Sequence, residues 1–241
     1  MIGEHIMKKT IGIIGGMGPL ATCDLFRKII DITDAACDQD HIRVCIDNNT
    51  EIPDRTAAIV AGGADPVAQM SRSAKGLQGM GADVLIMPCN TAHFFHSRVA
   101  ETVDVPLLNM LEETAKSAKA KGITRVGLLA TDGTIRSGVY AKAFEKEGVA
   151  IVTPSAENQQ AVMDVIYKGV KAGNYDLDLS GFYAAMEEVF AAGAETLVLG
   201  CTELPVAFDM FQINKPHIDP TLILAMAAVK FVGGKLKKNV L

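Results

Sequence analysis

Gly81-Ala-Asp-Val-Leu-Ile-Met-Pro-Cys89-Asn-Thr91 and Gly193-Ala-Glu-Thr-Leu-Val-Leu-Gly-Cys201-Thr-Glu203 align over eleven positions without a gap, and their cysteines lie 112 residues apart. Each runs through a short apolar stretch of buried-strand type and ends on a thiol. An earlier segment repeats as well: Thr10-Ile-Gly-Ile-Ile-Gly15 is echoed by Thr124-Arg-Val-Gly-Leu-Leu-Ala130. The chain therefore reads as a duplicated half carrying a duplicated thiol. Two like halves facing each other point two like thiols into one cleft, which suits removal of a proton from one face of a carbon and its return to the other.

Around these repeats, apolar runs of strand type at 10–14, 42–47, 84–87, 106–109, 125–130, 149–153 and 196–200 alternate with segments of helical period at 55–80, 110–121, 137–147, 158–172 and 181–192. That rhythm predicts the α/β class, with two similar domains, each a parallel sheet flanked by helices. Asp219-Pro220 starts a last helix over about 221–236. The repeat places a first domain at 1–108 plus the C-terminal segment 219–241 and a second at 109–218, related by a pseudo-two-fold axis with the site between them. No long linker separates the halves.

At 241 residues and 49% hydrophobic content the chain can bury a substantial core, and a net charge of -5 gives no overall basic field for nucleic acid. Five cysteines, an odd and scattered number, do not make a disulfide framework and point to a reducing, cytoplasmic setting with free thiols. Lys8-Lys9 before the apolar run Ile11 to Leu20, with Leu20-Ala-Thr-Cys23 behind it, imitate an export signal. The glycines and Pro19 inside that run favour a strand and Gly-rich turn instead, and no apolar segment reaches membrane-spanning length. Residues 1–7, ahead of Met7, read as an extension or alternative start.

In open parallel sheets the ligand crevice lies beyond the carboxyl ends of the strands, where both repeated thiols fall. Asn90-Thr91 and Thr202 offer cap-type side chains for helices starting just after them, and a helix N-terminus favours a thiolate. Cys23, Cys37 and Cys45 read as small buried hydrophobes. His93, one turn after Cys89, suggests either a zinc ligand or a base for a cysteine hydrolase; the sequence lacks the paired Cys/His spacing of a zinc site, and the hydrolase leaves Cys201 unused. Gly15-Gly-Met-Gly18-Pro19 loosely fits a dinucleotide fingerprint, which keeps an NAD(P)-dependent oxidoreductase in view, but it also reads as a nest of N–H groups for a substrate carboxylate. Arg55 can clamp a carboxylate or stand as a solvated helix-start cation; Lys171 reads first as an exposed helix-end cation, and Thr131 can present a hydroxyl to the cleft. A non-catalytic amino-acid-binding module also fits the pattern.

Gly15-Gly-Met-Gly-Pro-Leu-Ala-Thr22, Asn48-Asn49 with Ile52-Pro-Asp-Arg55-Thr56, Met87-Pro-Cys-Asn-Thr-Ala-His93, Gly127-Leu-Leu-Ala-Thr131 and Gly200-Cys-Thr-Glu203 together resemble the aspartate racemases of the aspartate/glutamate racemase superfamily, from about residue 8 to the last helix. The resemblance implies a homodimer working without cofactor or metal on a dicarboxylic amino acid. It implies Cys89 and Cys201 as the acid/base pair, Arg55 and Lys171 as cationic substrate contacts, and Thr91, Thr131 and Thr202 lining the site. Met17, Asn49, Asn90, Tyr167 and Glu203 complete the substrate-binding set it suggests. Aspartate is the substrate it points to first, with glutamate or a broad range on the same scaffold as the alternative.

Overall fold

The computed structural model describes residues 9–238, so the extension read at 1–7 lies outside the described residues. The first half begins with β1 (Ile11–Gly15), buried throughout. A β-carbon on Gly12 would stand 2.6 Å from Leu85 Cδ2 and 2.9 Å from Ala82 Cβ, so glycine lets the next layer close on the strand. Gly18 then caps α1 (Pro19–Ile32) in extended conformation, with Pro19 in the first turn where its missing N–H costs nothing. The apolar run that imitated an export signal is thus strand, turn and helix start.

After β2 (Val44–Asn48), the single helix expected over 55–80 is two: α2 (Arg55–Val60), whose Asp54 cap accepts from the Ala57 N–H at 2.7 Å, and α3 (Val67–Gly79). Between them Gly62 takes φ +66° and the Gly63 N–H returns to Ala57 O at 3.0 Å, closing the first helix. Next come β3 (Val84–Ile86), a 3₁₀ turn over Thr91–Phe95 and α4 (His96–Ala100). The strand expected at 106–109 is a single parallel bridge, Leu107 beside Leu85. Asn109 then caps α5 (Met110–Ala120).

The second half repeats this order. β4 (Arg125–Ala130) leads to α6 (Asp132–Ser137), a short helix the sequence pattern did not show, and then across Gly138 at φ +66° to α7 (Val139–Lys146), the helix expected at 137–147. β5 (Ala150–Val152) is followed by α8 (Ala156–Asp164), which widens into a π turn over Val165–Val170 where a continuous helix was expected. Then come α9 (Ser180–Ala191), β6 (Thr196–Gly200), α10 (Glu203–Met210), the two-residue β7 (His217–Ile218) and α11 (Pro220–Phe231). The last helix stops short of 236 because Gly233 turns to φ +80° and Gly234 N–H bonds back to Val229 O at 2.8 Å.

The strands form two parallel sheets, ordered β2-β1-β3 and β5-β4-β6-β7. The repeated Gly-Ala-acid triplet has the same job in both. Gly81 and Gly193 adopt φ +87° and +89°, and the following alanine N–H groups return to Leu77 O and Val189 O, each at 3.1 Å. The acidic residue then holds the neighbouring strand: Asp83 Oδ2 accepts from Thr10 N at 2.7 Å, and Glu195 Oε1 accepts from Thr124 N at 2.9 Å. One apolar core is shared, joining Ile13 and Ile86 of the first sheet to Leu128 and Val198 of the second through α5 and α11. Lys28 on α1 contacts Asp24 and, at 2.6 Å, Asp219, the cap of α11, which ties the C-terminal helix to the first half.

Candidate active site

Both repeated strands end at one tight cavity of about 20 Å³, room for little more than a water molecule. Cys89 and Cys201 line it together, one from each half, and both are buried. Met17, Arg55, Asn90, Thr91, Thr131, Tyr167, Lys171, Thr202 and Glu203 line it as well. Asn49 does not: its amide donates to Gln69 Oε1 and Ser73 Oγ on α3, and its backbone fills the space against Gly16, so it supports the loop from behind. Of the remaining cysteines, Cys45 is buried as expected, whereas Cys23 and Cys37 are exposed.

Each cation is held by identifiable groups. Arg55 Nη1 donates to Ile52 O at 3.2 Å and Pro53 O at 2.9 Å, and Nη2 to Met17 O at 3.3 Å, while the buried Nε has no partner. Burial opposes the Arg55 charge, but Cys89, Asp54 and Glu203 around it outweigh that and hold its pKa above the ordinary value. Lys171 Nζ pairs with Glu203 Oε1 at 2.7 Å and lies 5.7 Å from the centre of the Tyr167 ring. The π turn carries both Tyr167 and Lys171 to the cavity wall.

The two thiols have unlike surroundings. Cys201 Sγ donates to Glu203 Oε2 at 2.9 Å. Burial first, and then the Glu203 carboxylate, push the Cys201 thiol well up, with Lys171 pulling the other way. The expectation that its helix start would favour the thiolate fails here, because a buried carboxylate outweighs a partial helix charge. The capping expectation fails for a related reason. Asn90 and Thr202 already have helical backbone angles, so their side chains do not reach back to cap. Thr202 Oγ1 instead approaches Glu203 Oε2 at 3.4 Å, and Asn90 Oδ1 accepts from Tyr140 OH at 2.5 Å.

Hydroxyls bridge the halves on the other side of the cavity. Thr91 Oγ1 lies 3.1 Å from Thr131 Oγ1 and 2.8 Å from Thr134 Oγ1. In the glycine loop the Gly16 N–H donates to Thr22 Oγ1 at 3.0 Å, and the loop's share of the lining is Met17. His93 is committed elsewhere. Its Nε2 accepts from Met110 N at 3.1 Å, so Nδ1 carries the proton donated to Cys89 O at 2.8 Å. Burial lowers its pKa to about 3 and keeps the ring neutral, which removes it as a base for Cys89. Among the described residues no three His, Cys, Asp or Glu side chains gather in a way that could hold a metal ion.

Sequence reasoning passed over Asp54 and Thr56, which also line the cavity, although both belong to the segment around Arg55. It also missed Thr134 and Tyr140, whose contacts are made across the fold. A wider groove lined by Leu20, Cys23, Arg27, Tyr175 and Met210 shares no residue with this cavity.

The comparisons agree with one another. The family described as Asp/Glu/Hydantoin racemase matches residues 14–228. A broad-specificity amino-acid racemase of Bacillus subtilis is 26% identical over 232 residues, spanning 91% of this chain and 96% of its own. An aspartate racemase of Picrophilus torridus superposes with a TM-score of 0.85 at 35% identity, over 96% of this chain and 97% of its own. An aspartate racemase homologue from Pyrococcus horikoshii does so with a TM-score of 0.75 at 25% identity, over 94% and 100%. Paired sheets, a shared cavity at the strand ends and matches along nearly the whole length lead to one assignment: the chain belongs to the Asp/Glu/hydantoin racemase family and is a racemase.

Proposed function

We propose that the protein interconverts L- and D-aspartate by a two-base mechanism without a cofactor, in a cleft between lobes formed by 1–108 with 219–241 and by 109–218. The observation that carries this reading is the meeting of Cys89 and Cys201 in one cavity with two cations, Arg55 and Lys171. Two carboxylates on the substrate suit two cations on the protein. The likeness to the Picrophilus torridus aspartate racemase supports the same choice.

A single fixed base cannot serve both faces of Cα. In one direction the sulfur on one side, as thiolate, takes the Cα proton and becomes a thiol, while the C–H electron pair passes into the carboxylate as an enolate-like charge. The thiol on the opposite side then gives its proton to Cα and becomes the thiolate, so atoms and charge balance and the roles are exchanged for the return. Its surroundings suit Cys201 to begin as the thiol, with the Arg55 cation standing beside Cys89. Arg55, Lys171 and the threonine hydroxyls oppose the charge that builds on the substrate.

The test is chiral chromatography after incubation of each enantiomer of aspartate with the wild type, Cys89→Ala and Cys201→Ala. Each variant should lose racemisation at least about 100-fold in both directions; interconversion kept by either rejects the two-base scheme. Glutamate and neutral amino acids run beside aspartate decide the substrate.

A further inference from the structure

Asn90, between Cys89 and Thr91, is 2% exposed, and its Nδ2 is a buried donor with no hydrogen-bond partner. Such a group ordinarily destabilises the fold that buries it. What keeps it in that state stands on the other half of the fold. Tyr140 on α7 is 1% exposed and packs against Phe144 within the shared apolar core, and its hydroxyl donates to Asn90 Oδ1 at 2.5 Å. Turning the amide over would offer the phenol an N–H in place of an acceptor and leave the phenol proton buried with nothing to accept it. Burial, first, holds the phenol protonated by raising its pKa well above the usual value, so it remains a donor.

We propose that Tyr140 is a positioning residue for the racemisation: by fixing Asn90 Oδ1 it keeps the Asn90 Nδ2 amide turned to the cavity as a standing donor for a substrate carboxylate. The unmet donor is then matched when the anion arrives, and its hydrogen bond strengthens as enolate charge develops. This rests on the racemase reading above, and it adds a side chain that does not line the cavity.

The experiment is a double-mutant cycle. Tyr140→Phe keeps the ring and frees the amide, so its kcat/KM for aspartate should fall about 10- to 100-fold, largely in kcat, as should that of Asn90→Ala. In the Asn90→Ala background, Tyr140→Phe should change kcat/KM by less than about twofold, because the group it positions is gone. Asn90→Asp, which still accepts from Tyr140 but turns an anion to the substrate, should lose more than Asn90→Ala. A Tyr140→Phe enzyme within about twofold of wild type, losses that multiply in the double variant, or an Asn90→Asp variant as active as wild type each overturn the proposal. Calorimetric titration with succinate reads the same cycle without turnover, so a wild type that racemises no amino acid defeats the functional reading alone, and the succinate affinities still decide the role of Tyr140.

Discussion

Replacing Arg55 by lysine keeps the charge and removes the planar fork. Arg55 spends Nη1 and Nη2 on three carbonyls, of Ile52, Pro53 and Met17, and keeps Nε free beside the cavity. An ammonium can replace about one of those bonds. Two orphaned carbonyls at about 1 kcal/mol each give about 2 kcal/mol of lost stability. In a chain of this size that is a fall in Tm of about 4–8 °C. The substrate side is separate: one charge-assisted hydrogen bond of about 1.5–3 kcal/mol corresponds to roughly a 10- to 150-fold loss in kcat/KM. Differential scanning calorimetry of the free enzyme and chiral-chromatography kinetics measure the two terms independently. An Arg55→Lys enzyme with Tm within about 1 °C and kcat/KM within about twofold of wild type refutes the geometry described for this side chain.

His93 ties stability to pH. Because burial lowers its pKa to about 3, the unfolded state binds a proton below about 6.5 that the native state refuses. Its contribution is complete above about pH 6.5 and is lost on acidification toward about 3, with a slope of about 1.4 kcal/mol per pH unit in urea melts that flattens in His93→Gln; an unchanged slope contradicts the buried neutral ring. Glycine supplies an opposing pair. At Gly127 a β-carbon meets Val189 Cγ2 at 2.6 Å, so Gly127→Ala should cost about 1–3 kcal/mol, whereas at Gly76, inside α3, nothing stands within 4 Å and Gly76→Ala should gain about 0.5–1 kcal/mol. Thermal melts of the two variants moving in the same direction would contradict the packing of α9 on β4.

The readable parts of this protein were the ones written twice. The apolar run closing on a cysteine, the glycine before it and the strand echoed upstream each appear in both halves and predict two parallel sheets with thiols at one end. The breaks inside helices were harder to see. Residues 55–80 keep an apolar period across Gly62, and only the left-handed backbone there ends the helix; the short α6 ahead of Gly138 was not signalled at all. β7 is two residues long, below what period-two patterning can register. In the cavity, residues carried by motifs fell into place, but Asn49 turns outward because α3 offers its amide better partners. Tyr140 left no local sign: it lies in an ordinary amphipathic segment, fifty positions from the amide it holds. Likewise, the upward push on the Cys201 thiol depends on where the Glu203 carboxylate turns, which spacing alone does not reveal.

The joint core limits how the chain can be divided. Ile13 and Ile86 share their apolar surroundings with Leu128 and Val198, and the helices that seal them, α5 and α11, lean on each other. A half-length fragment would therefore expose a greasy flank that only its sibling can cover. The repeat persists in outline, and each copy keeps an apolar cluster of its own, but the layer between them is whole only when both are present.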